Sequence, residues 1–181
     1  MTSRTALATI MGLVALWGVD ARAVNAREAL TALFPGHTIS ASRKMLTAKQ
    51  RTTLKERFQQ AKYVPRVWSL YEISSDKGLV SYAGGWKIMG KHAPIRTLIV
   101  CDRNFSVTHA QVLHHAEIYG RAIDKRAFLD QFTGKKRGDT WRLACDVDGI
   151  TGATVSSTAM LKAVRNSLWC ISEYAGSPEA E

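Results

Sequence analysis

The segment Asp148-Gly149-Ile150-Thr151-Gly152-Ala153-Thr154 runs directly into a stretch where Met160, Ala163, Val164, Leu168 and Ile171 recur at helical spacing. That pattern predicts an amphipathic helix whose apolar stripe must be buried against another layer. Ser156 and Ser157 stand where an N-cap is expected, the helical spacing runs through to Cys170 and Glu173, and the stretch from Ser167 to Glu181 loses its apolar content into Ala-Gly-Ser-Pro-Glu, a frayed tail. The two glycines and the helix entrance would gather exposed backbone N–H groups at the positive end of the helix dipole, which favours a phosphate. Glycine and threonine also begin many helices as caps. Taken alone, these residues leave both readings open.

Upstream, Ala26 to Leu33 predicts a short amphipathic helix ended by Phe34-Pro35-Gly36. Thr47 is a good N-cap for a second helix running to about Ala61, with Leu54 and Phe58 four apart. Short β-prone runs follow at Val67 to Ile73 and Leu79 to Tyr82, joined by hairpin-like turn chemistry. Ile95 to Cys101 and Val107 to His114 read as antiparallel partners across Asp102-Arg103-Asn104. Lys125 to Phe132 reads as a helix closed by Gly134. The expected class is α+β, an antiparallel sheet with packed helices and a loop leading into the C-terminal helix.

With 181 residues, the chain has room for one domain and short appendages. An apolar content of 46% and a charged content of 22% exclude a disordered or collagen-like chain. The formal charge of +10 suits a nucleic acid, an anionic membrane or an acidic partner, but the basic residues are scattered, which disfavours a nucleic-acid tract. Thr5 to Val19 is an uncharged apolar run of 15 residues, followed by Ala21-Arg22-Ala23. This is the pattern of a secretory signal cleaved after Ala23; an uncleaved anchor is the alternative, for which the run is shorter than the roughly 20 residues a membrane span needs. Cleavage would leave 158 residues and remove two of the 25 basic and one of the 15 acidic residues, giving +9. Export permits disulfides, yet there are three cysteines, so at least one is unpaired within the chain. A bridge between Cys145 and Cys170 is one reading; the better one is that all three are small buried hydrophobes. The expected organisation is a signal peptide over 1–23, an N-terminal helical segment over 24–66, a domain over 67–173 and a flexible tail over 174–181.

The string from Asp148 to Thr154, followed by Val155-Ser156-Ser157, resembles the flavinylation motif of the FMN-binding domain family, which includes the G component of the Rnf electron-transport complex and the C component of the sodium-pumping NADH:quinone reductase. Gly84-Gly85-Trp86, His114 to Gly120 and the stretch Phe128 to Lys135 are similar to further family segments in the same order. Where the family has Thr-Pro after its glutamate, this chain has Ile118-Tyr119. The resemblance implies FMN joined through a phosphoester to Thr154 by a separate flavin transferase. It also implies a cofactor site comprising Asp148, Gly149, Thr151, Gly152, Ala153, Val155, Ser156 and Ser157, with Trp86 and Glu117 near the ring. Ordinary core packing is the equal alternative for Trp86, and a solvated strand end for Glu117.

His109, His114 and His115 invite a metal reading, but adjacent strand residues point to opposite faces, so His114 and His115 do not readily share one ion. Lys135 to Arg137 read as a solvated turn, with steering of an acidic redox partner as the alternative. No Gly-x-Ser-x-Gly surrounds Ser156 or Ser157, and no Gly-x-Gly-x-x-Gly fingerprint is present, so neither hydrolase chemistry nor direct NADH oxidation is expected. The expected function is an exported, periplasmic or membrane-associated electron carrier or redox-complex subunit, not a self-sufficient oxidoreductase. Its partners would be the flavin transferase and a membrane complex, quinone-linked protein or cytochrome. The alternatives are a secreted binding module lacking the cofactor and a small flavin reductase.

Overall fold

A computed structural model describes residues 25–58, 64–116 and 121–175. The expected signal segment, the expected end of the second helix at Ala61, Glu117 and the last six residues lie outside the described residues. Five antiparallel strands form one meander in chain order: β1 (Thr38–Met45), β2 (Val67–Ser75), β3 (Gly78–Met89), β4 (Pro94–Asp102) and β5 (Val107–His114). The expected α+β architecture is therefore present. Short turns join β2 to β3 and β4 to β5, where the Asp102 carboxylate accepts from the Asn104 and Ser106 amides.

Each face of the sheet has its own cover. Helix α1 (Ala26–Leu33) begins with a capping box between Asn25 and Glu28 and buries Ala29 and Leu30 against Ile73, Ala83, Leu98 and Val100. Helix α4 (Thr154–Ala175) covers the other face and shares the larger core with Trp68, Trp86, Ile99 and Phe132. Burying that much apolar surface on both faces makes the central strands read as nearly continuous hydrophobic runs. A Cβ on Gly84 would collide with the Trp68 ring and press on Ile171, so this glycine lets the tryptophan lie flat between the sheet and α4.

Several expectations are corrected. Strand β1 lies inside the segment read as helical, and none of its residues is fully buried. Helix α2 (Ala48–Phe58) does start at Thr47, whose hydroxyl accepts from the Gln50 amide while the Gln50 side chain accepts from the Thr47 amide. The helix expected from Lys125 to Phe132 is a single α turn, α3 (Arg126–Leu129), continued by a 3₁₀ turn to Phe132. Helix α4 keeps the expected spacing past Ser167: Leu168, Trp169, Cys170 and Ile171 are all buried, and it continues to Ala175, two residues beyond the expected Glu173. Asn166 and Ser167 are buried polar residues that interrupt the apolar pattern without interrupting the helix.

Candidate functional site

The 148–154 loop is held at both ends by side chains from elsewhere. Gln131 accepts from the Asp148 amide at 2.7 Å, and its own amide donates to the Asp148 carbonyl at 3.5 Å. Ser157 Oγ accepts from the Ile150 amide at 3.1 Å and donates to the Ala153 carbonyl at 3.0 Å. Between these anchors the Ala153 amide donates to the Ile150 carbonyl at 2.9 Å, with Gly152 at φ +77°. This is a turn whose third residue needs positive φ, the position glycine occupies without strain. Gly149 has ordinary φ and open space where a Cβ would stand, so of the two glycines only Gly152 is required by the backbone conformation.

Helix α4 begins one turn earlier than the N-cap expectation. Thr154 is its first residue, Ser157 donates its amide to the Ala153 carbonyl, and Ser156 and Ser157 are buried inside the first turn. The physical reason is that Ser157 is turned inward to tie down the loop, so it cannot stand outside the helix as a cap. Thr154 and Val155 are exposed, Val155 at 52%, and the first turn carries no acidic residue. Amides this early in a helix have no intrahelical acceptor. The chain therefore presents a hydroxyl, an apolar side chain and helix-end amides together at the surface.

Thr151 and Gly152 are also exposed, whereas Ala153 is buried. Asp148 is exposed, and its carboxylate makes no hydrogen bond among the described residues; its backbone is held by Gln131. Gln131 belongs to the stretch that resembles the family, but nothing local marks it as a loop anchor. Its partner is 17 positions away and only the fold brings them together.

Trp86 is 3% exposed and sits in the main core, so its ring is taken up by packing. Thr97 Oγ1 donates to its carbonyl at 3.2 Å. Glu117 lies outside the described residues.

The preceding loop is organised by Asp146, which accepts from Thr140 Oγ1, from the Arg142 amide at 2.8 Å and from Lys135 Nζ at 3.4 Å. These hydrogen bonds, led by that from Thr140, hold its carboxyl below the usual range. Lys135 to Arg137 are thus not a merely solvated turn. Lys135 pairs with Asp146, and the Arg137 guanidinium lies 5.2 Å over the Trp169 ring and 3.5 Å from Glu173. His115 pairs with Asp124 at 3.5 Å, and no group of three metal-binding side chains occurs among the described residues. Cys101 and Cys170 are buried, and burial pushes the Cys101 thiol up to about 12 and the Cys170 thiol higher still. Cys145 is exposed and free, which corrects both the buried reading for that residue and a bridge to Cys170.

Residues 90–168 match a family model described as the FMN-binding domain. Among solved structures, the chain is similar to the C component of Na(+)-translocating NADH-quinone reductase from Parabacteroides distasonis, with 19% identity, 86% of each chain covered and a TM-score of 0.59. That likeness shows a shared fold. No curated protein matches the chain significantly.

Proposed function

We infer that this chain, whose residues 90–168 match the FMN-binding domain model, is an extracytoplasmic electron-transfer protein whose FMN is tethered through a phosphoester to Thr154. The observation that carries this reading is the exposed Thr154 hydroxyl at the entrance of a 22-residue helix, on a loop pinned by Gln131 and Ser157.

In the attachment step, Thr154 Oγ1 attacks the inner phosphorus of a flavin dinucleotide held by a transferase. The Oγ1–P bond forms, the bond between the two phosphates breaks, the hydroxyl proton passes to a base on the transferase, and the mononucleotide AMP leaves. The exposed position of Thr154 allows that approach, and the Gly152 turn keeps the acceptor clear of bulky neighbours. The helix-end amides offset the remaining negative charge by about 0.3–1 kcal/mol, a minor addition to a covalent tether. Val155 offers an apolar surface beside the acceptor. Tethered FMN supplies one- and two-electron redox chemistry, and the protein's part is to fix it and limit its contact with water. The leader-like N-terminus supports export, and the similar solved structure is part of an NADH-quinone reductase, which supports a membrane redox complex as partner.

The test is co-expression with a flavin transferase, followed by intact-mass measurement of the exported protein. Wild type should gain one FMN less one water, and Thr154→Ala should gain nothing. A colourless, unmodified wild type would favour a cofactor-free binding module. Turnover with a soluble acceptor would favour a reductase.

A further inference from the structure

The two ends of the sheet differ in charge. At one end the β2–β3 and β4–β5 turns balance Asp76 with Lys77 and Asp102 with Arg103. At the other end, residues 42–47, 64–70 and 85–98 contain no carboxylate. They contain Arg43, Lys44, Arg66, Lys87, Lys91 and Arg96. The nearby α2 adds Lys49, Arg51 and Lys55 against Glu56, while Glu28 is engaged in the α1 capping box and Asp124 with His115.

The register arranges these groups in a row across the strands. Met45 faces Val67, Lys87 faces Arg96, and Arg96 faces His114. Continuing the β2–β3 register from Leu70 opposite Gly84 places Val67 beside Lys87. Like charges directly opposite on neighbouring strands are destabilising, and this row has no carboxylate to offset Lys87 against Arg96. The same two cations, with Val64, Pro65, Val67 and Tyr71, line a cavity of about 410 Å³. Three of the large apolar side chains most open to water are also at this end: Met45 at 78%, Val67 at 46% and Met89 at 43%. Singly such residues are ordinary, but here they border one cationic rim.

We propose that this end of the sheet docks on an anionic membrane surface, with lipid phosphate between Lys87 and Arg96 and with Met45, Val67 and Met89 at the headgroup boundary. An anionic bilayer offers dense negative charge together with apolar depth, which matches cations and exposed methionines side by side. An acidic protein or a nucleic acid would satisfy the charges and leave the apolar rim in water. The docking does not depend on the flavin.

The protein recovered from cells, with and without bound flavin, is sedimented with vesicles of phosphatidylglycerol and phosphatidylcholine and with vesicles of phosphatidylcholine alone. Hydrogen exchange is then followed on the bound protein. Binding is expected only to the anionic vesicles, weakening with salt, with new protection in residues 64–71 and 84–98 and none around Asp76 and Asp102. Each cation removed should weaken binding about fivefold, so Lys87→Gln with Arg96→Gln should weaken it about 25-fold. The charge-keeping pair Lys87→Arg with Arg96→Lys should bind like wild type. Circular dichroism checks the fold of both. Should the neutral pair not fold, the exchange map and salt dependence of the charge-keeping pair decide. Equal binding to both vesicle types, full binding by the neutral pair, protection at the Asp76 and Asp102 end, or binding to an acidic protein without binding to vesicles would overturn the proposal.

Discussion

The two ends of α4 are built for opposite purposes. At the C-terminal end, Leu168, Cys170 and Ile171 are fully buried, Ile171 lies over Gly84, and Arg137 covers Trp169 from outside. At the N-terminal end, Thr154 and Val155 face water while Ser157 turns inward to hold the loop. Ile171 is 17 residues beyond Thr154, about 25 Å along the axis. The buried body fixes the helix as a post, and its two exposed first residues can then present a hydroxyl in a defined place. Packing energy and chemical availability are separated along one element.

The largest test of that separation is a pair of substitutions. Leu168→Ala should cost about 2–5 kcal/mol in chemical denaturation, because it opens a cavity under the sheet. Thr154→Ala should change stability by no more than about 0.5 kcal/mol while abolishing flavin incorporation. Comparable stability losses from both would break the comparison.

A smaller effect is expected at the loop anchor. Gln131→Ala should cost about 0.5–1.5 kcal/mol and slow flavin incorporation at unchanged helix content, since water can replace the lost partner of an exposed amide but cannot hold it still. Gln131→Glu keeps the acceptor for the Asp148 amide and should recover part of the rate. If stopped-flow or timed mass measurements show no slowing in Gln131→Ala, the loop is held without it.

Thiol labelling gives a further contrast between surface and core. One of the three cysteines, Cys145, should react with a maleimide in the native protein, and Cys101 and Cys170 only on unfolding. Peptide mapping identifies the site, and native labelling of Cys170 would mean that the C-terminal half of α4 is not the fixed end.

The smallest expected effect is on pH dependence. Burial, aided by the Arg126 guanidinium, lowers the pKa of His109 below the ordinary imidazole value. The unfolded chain then takes up the proton more readily, so this contribution is complete above about pH 6.5 and is lost as pH falls through the folded value. Thermal melts of His109→Gln should show a shallower decline over that acidic range than wild type.

Much of this was readable before any fold was known. Strands β2, β4 and β5 announced themselves through β-branched runs and turn residues, β3 did so only over Leu79 to Tyr82 of its Gly78–Met89 span, and the resemblance at 148–157 pointed to the candidate acceptor. Strand β1 gave no such signal because Thr38–Met45 is an edge strand with no fully buried residue, held by backbone pairing with β2. Asn166 and Ser167 interrupt the apolar stripe of α4, yet Leu168 and Ile171 carry its spacing past them, so the length of the helix was legible while the burial of those two polar residues was not. Trp86 could be named but not placed, and only the packing shows its ring enclosed in the core.

What the sequence by itself determined is the chemistry on offer: a threonine after a glycine turn, a helix with an apolar stripe and a sheet able to cover it. Those depend on local periodicity and residue type, which the chain carries in its order. The tertiary structure decided which hydroxyl remains exposed, which serine is spent on the loop, and that Gln131 reaches Asp148 across 17 positions. It also decided that cations from separate strands stand in one row. Such facts depend on contacts between residues distant in the chain, and only the folded backbone sets those distances.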